Sequence, residues 1–139
     1  MPATAVSVPV EDVRAIEAFL YRAVELTDSG KADRLPETLA PHGRVLGLGP
    51  DPLNHEEFTT WAIARAAKTT RRTRHLITNI RLTPLEEAKV RSQATLLIYA
   101  IEGEGELHVS FLGDQLDVLI RDEHGRWLLE ERELVPLGS

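Results

Sequence analysis

Apolar residues recur every three or four positions early in the chain and at alternate positions later on. Val13, Ile16, Leu20, Val24 and Thr27 follow the rhythm of an amphipathic helix. Pro9 suits its first turn, Glu11 and Asp12 its positive end, and Gly30 its C-terminal stop. Glu17, Tyr21 and Asp28 share a flank beside that stripe, facing either solvent or a cavity. Asp33 can cap a short second helix carrying Leu35, Pro36 and Leu39, which Pro41, His42 and Gly43 break before a short strand over 45–48. After a Gly- and Pro-rich loop, Asn54 and Glu57 form a capping-box pattern. Phe58, Trp61, Ala62 and Ala66 then give a third helix its apolar face.

The period changes to two from Thr73 onward. In the run 73–82, His75, Ile77, Asn79 and Arg81 fall on one face, and Leu76, Thr78, Ile80 and Leu82 on the other. The second face reads as the apolar one, and Pro84 closes the strand into a turn over 84–87. Long strands follow over 90–101 and 106–121, then a hairpin turn over 122–125 and a last strand over 126–135. Three helices with one short strand among them, then four strands joined by tight turns, imply an antiparallel meander with helices on one face. The fold class is α+β.

Composition narrows the function more by exclusion than by pointing. The 139 residues read as one domain over 1–139, with 1–8 a loose arm. A net charge of −6 argues against a nucleic-acid or anionic-membrane partner. With no cysteine, thiolate chemistry, disulfides and cysteine-ligated zinc are excluded. His42, His55, His108 and His124 show no metal-ligand spacing, so no metal is expected. No leader pattern or apolar run of about 20 residues is read, and the expectation is a cytoplasmic protein. The basic run Lys68, Arg71, Arg72 and Arg74 reads as favourable charge after a helix C-terminus.

Three segments carry a family resemblance. They are 19–35, with Leu26-Thr27-Asp28-Ser29-Gly30 at the helix exit; 74–79, Arg74-His75-Leu76-Ile77-Thr78-Asn79; and the terminal hairpin, 119–127. Together they resemble the nuclear-transport-factor-2-like superfamily in its SnoaL-like branch. The resemblance implies a curved, mostly antiparallel sheet wrapped around three N-terminal helices as a cone with an apolar cavity. In scytalone dehydratase, which shares this cone, an aspartate ending the first helix pairs with a strand histidine, and the matching positions here are Asp28 and His75. That dehydratase has a tyrosine just before its aspartate, where this chain has Thr27. Ring-hydroxylating dioxygenase small subunits share the fold, and the segments 19–26 and 73–79 resemble them too.

Two functional expectations follow, of different kinds. One is a cofactor-independent lyase or isomerase of dehydratase or cyclase type, with His75 as general acid or base and Asp28 orienting it. Tyr21, Trp61, Ile77, Asn79 and Gln115 are its candidate substrate-binding groups, around a mostly apolar small molecule. The other is a non-catalytic ligand-binding or assembly module. In either case a homodimer is expected, because Leu96, Ile98, Leu116, Val118 and Ile120 offer an apolar sheet face that three helices cannot cover.

Overall fold

The computed structural model describes residues 7–138. The expected N-terminal arm lies outside the described residues apart from Ser7 and Val8, and Val8 packs against the core. Helix α1, Val10–Asp28, buries Ile16, Leu20, Ala23 and Leu26 on one face. Its exit is set by Gly30, whose φ of 81° opens the left-handed conformation that glycine adopts without a Cβ penalty. The Lys31 amide then donates to the Leu26 carbonyl at 2.7 Å and the Gly30 amide to that of Thr27 at 3.2 Å, a Schellman stop. Asp28 is left in the last helical turn.

The second helix is a 3₁₀ segment, Ala32–Thr38. Strand β1, Leu39–Leu46, follows at once and starts earlier than the sequence pattern suggests, with Pro41 and Gly43 inside it. Its position explains this, because β1 is an edge strand whose missing proline donor can face outward. Helix α2, His55–Ala67, begins with the expected capping box: the Asn54 side chain accepts from the Glu57 amide and the Glu57 side chain from the Asn54 amide, both at 2.9 Å. Phe58 and Ala62 are buried on its inner face.

Four strands complete the sheet: β2 Arg71–Glu86, β3 Lys89–Glu102, β4 His108–Arg121 and β5 Trp127–Pro136. The sheet order is β1-β5-β4-β3-β2, antiparallel throughout the meander, with β1 parallel to β5. Pro84 does not end β2, because β2 is the other edge and the chain turns only at Glu87 and Ala88. Among the described residues no helix is long and apolar enough to cross a membrane.

Two facings differ from the expected alternation. The register of β2 against β3 shifts between Thr78 and Arg81, and Asn79 sits there with a φ of 55°. This β-bulge adds a residue and switches the phase, so Ile77, Ile80 and Leu82 all pack against the core while Leu76 is 48% exposed. The expected apolar face of this strand therefore holds only beyond the bulge. Leu96 and Ile98 also turn inward, since Leu96 pairs with Gly113 and shares the concave face with Gln115. Leu116, Val118 and Ile120 remain on the convex face, opposite the buried Gln115, Asp117 and Leu119.

Candidate functional site: a cavity whose wall holds the histidine of a histidine–aspartate pair

The concave face of the sheet, α1, the 3₁₀ segment and α2 enclose a cavity of about 460 Å³. Apolar groups make most of its inner wall, including Leu35, Val45, Phe58, Trp61, Leu96 and Leu134. Phe58 and Trp61 stack with ring centroids 5.6 Å apart. His75 is in the wall as well.

The structure brings Asp28 and His75 together across 47 residues of chain. His75 Nδ1 lies 2.6 Å from Asp28 Oδ1, and the His75 backbone amide donates to Oδ2 at 2.8 Å. Thr73 Oγ1 donates to Oδ1 at 2.7 Å. Thr73 and His75 are two apart on β2 before the bulge, so alternation aims both at the end of α1. The carboxylate sits at the negative end of the helix, where the dipole disfavours it, and three donors offset that cost. Burial pushes the Asp28 carboxyl up, but the hydrogen bonds from the His75 ring, the His75 amide and Thr73, together with the histidine's charge, outweigh it and leave the pKa lowered. An ionised carboxylate only accepts, so Nδ1 carries the hydrogen and the neutral ring presents Nε2 as its basic nitrogen.

A second carboxylate, this one fully buried, lies on the concave face of the sheet beside Gln115. Asp117 is 1% exposed and takes a bidentate pair from Arg132, Nε at 2.8 Å and a terminal nitrogen at 3.0 Å. Gln115 Nε2 donates to the same carboxylate at 3.1 Å. Arg132 and Gln115 both line the cavity, so this fixed pair forms a polar patch in an apolar wall.

Of the expected substrate-binding groups, Trp61 and Gln115 line the cavity and three others do not. Tyr21 shares Asp28's flank but lies seven residues up the helix, about 10 Å along its axis, where it is 47% exposed. Ile77 packs into the core. Asn79 is the bulge residue and points its role at backbone geometry instead. Thr73, Arg65, Arg71 and Arg132 also line the cavity, a place the sequence pattern did not assign to them. Thr73 was within reach, since period two puts it on the His75 face, whereas Arg132 becomes visible only through its pairing with Asp117. Lys68 and Arg71 belong to the cavity wall, unlike Arg72 and Arg74, which are exposed. Helix-end charge therefore does not account for the whole basic run.

A SnoaL-like domain model matches residues 8–133, and the chain belongs to that family, whose fold is NTF2-like. Among solved structures, a protein from Catenulispora acidiphila in complex with S-DNPA is similar at 22% identity, covering 91% of this chain and 95% of that one, with a TM-score of 0.76. ActVI-ORFA from Streptomyces coelicolor is similar at 13% identity, covering 94% and 100%, with a TM-score of 0.80. An NTF2-like protein with a cystatin-like fold from Novosphingobium aromaticivorans is 19% identical over 94% and 85%, with a TM-score of 0.79. At these identities the likeness is one of fold. No curated protein matches the chain.

Proposed function

We propose that the protein is a small-molecule lyase or isomerase, of dehydratase or cyclase type, working by general acid–base catalysis in the cavity. The observation that carries the reading is the 2.6 Å contact between Asp28 and His75 Nδ1, with the ring in the cavity wall. Nε2 of His75 takes a proton from a carbon next to a carbonyl, and the electron pair moves onto the carbonyl oxygen as an enolate. Asp28 holds the tautomer and stabilises the imidazolium. The imidazolium then returns its proton at another carbon, giving an isomer, or to a departing β-hydroxyl, giving an alkene and water. Each route balances without a redox cofactor.

The proton-abstraction step can be read without knowing the substrate. Exchange of the C1 hydrogens of 2-tetralone in D2O, followed by proton NMR, should be faster with the protein than in buffer. His75→Ala and Asp28→Asn should lower that rate by about 10²–10⁴. A wild-type rate equal to that of His75→Ala would sink the catalytic reading, and ligand binding without exchange would favour the non-catalytic module.

We also propose that two copies pair through the convex face of the sheet. Leu116, Val118 and Ile120 lie there half-buried, beside the exposed Leu76 and Leu112. Light scattering at micromolar concentration should give twice the chain mass, and a monomer would overturn the pairing.

A further inference from the structure

The chain carries 16 basic and 22 acidic side chains, yet its cavity wall reverses that balance. Arg65, Lys68, Arg71 and Arg132 line the cavity and Glu102 is the one carboxylate among the lining residues. Two of these cations are already neutralised, Arg132 by the buried Asp117 and Arg71 by the exposed Glu102. Arg65 is not. It is half-buried, and its hydrogen bond goes to a neutral hydroxyl, Thr73 Oγ1, at 3.3 Å. Among the described residues no carboxylate lies within ion-pair distance of it. Burial lowers its pKa first, the Arg71 guanidinium lowers it further, and Asp28 opposes both. A partly desolvated guanidinium sharing a cavity wall with a second guanidinium is an unfavourable arrangement for a fold to keep. An anion arriving from solution relieves it.

The position of these cations gives the ligand a shape. Phe58, Trp61 and Arg65 are spaced i, i+3 and i+7 on α2, and Lys68 caps its C-terminus, so the four line the cavity in sequence order. The series begins with two stacked aromatic rings and ends with two cations, of which Lys68 is exposed and makes no ion pair among the described residues. Arg71 joins that end from the start of β2, donating also to Ser110 at 2.8 Å. The wall is therefore apolar at one end and cationic at the other. His75 lies on the same strand as Arg71, linked to Arg65 through Thr73 and Asp28.

We infer that the cavity is built for an organic acid, a ring-containing molecule whose carboxylate sits on Arg65 with Lys68 and Arg71 close by, while its apolar body lies against Phe58 and Trp61. The inference takes the cavity as the ligand site, as in the proposed function, but does not need His75 to be catalytic. Guanidinium and carboxylate match as a bidentate pair, which a neutral amide of the same shape cannot reproduce. The acid group anchors the molecule away from the reacting carbon, leaving Nε2 of His75 to meet the ring portion.

Calorimetric titration with 2-naphthoate and with 2-naphthamide tests this. The acid should bind about tenfold or more tightly than the amide, reflecting one charge-assisted pair. Arg65→Gln should remove that preference by weakening the acid alone, and Arg65→Lys should restore part of it. Lys68→Gln, a change at an exposed position that cannot disturb the core, should reduce the preference severalfold. Hydrogen exchange of 2-tetralone, which has no carboxylate, reads His75 and Asp28 separately, so a failed dyad and a failed acid site give different results. Equal affinity for the two compounds, no binding of either, or a preference that survives both Arg65→Gln and Lys68→Gln would overturn the inference.

Discussion

Two aspartates, Asp117 buried and Asp28 half-buried, are held in opposite ways. Asp117 meets a permanent cation, with both oxygens engaged by Arg132 and one shared with Gln115. Asp28 meets a titratable ring, a backbone amide and a hydroxyl. Arginine does not release its proton under ordinary conditions, so the first arrangement is a fixed charge pair that orders two strands of the sheet. Histidine has two ring nitrogens, so the second arrangement engages Nδ1 and leaves Nε2 outside the pair. The difference also appears in location. Asp117 lies within the sheet between β4 and β5, whereas Asp28 sits where the end of α1 meets β2 beside the cavity. A fold can hold one residue type in two ways by changing only what donates to it.

Breaking the fixed charge pair should have the largest effect on stability. Arg132→Met leaves Asp117 buried with only Gln115 as donor, and urea unfolding should show a loss of about 3–5 kcal/mol. Asp28→Asn should cost less, about 1–3 kcal/mol, because neutral donors can still bond the amide oxygen. The pH dependence separates this variant further. The folded pKa of Asp28 lies below the ordinary value, so its contribution is complete above about pH 4 and is lost as pH falls through the folded value. The stability gap between wild type and Asp28→Asn should therefore narrow in acid, and a gap that stays constant from pH 6 to pH 2 would contradict the three-donor picture.

Thr73→Val sharpens the comparison by removing the hydroxyl shared between Arg65 and Asp28. A loss of about 1 kcal/mol is expected in thermal unfolding, with the acid limb of Asp28 moving to higher pH as one of its donors disappears. The smallest effect belongs to a pair with no cavity to serve. Arg44 and Glu131 meet at 2.7 Å on the surface with half the arginine exposed, and Arg44→Gln should change stability by less than about 1 kcal/mol. A larger loss there would mean that the edge pairing of β1 with β5 depends on that contact.

Much of this arrangement is local and could be read along the chain. The capping box at Asn54, the Schellman stop at Gly30 and the change of period at Thr73 each depend on residues a few positions apart. They place Asp28 at a helix end and His75 near the start of a strand. The resemblance of those two segments to a known family adds the expectation that the pair meets.

What the tertiary structure alone decides is which way side chains face once strands are paired. The bulge at Asn79 exists because β2 must match β3 on both sides of it, and it changes Asn79 from an expected ligand group into a backbone corner. Leu96 and Ile98 turn toward the cavity through their register with β4, and Arg132 becomes a partner of Asp117 through the register of β4 with β5. Arg65 and Arg71 come to line one cavity only once α2 and β2 are packed together. Sequence patterns record preferences within a few residues, whereas register, cavity walls and the meeting of distant charges arise from packing whole elements together, where a one-residue shift inverts every facing.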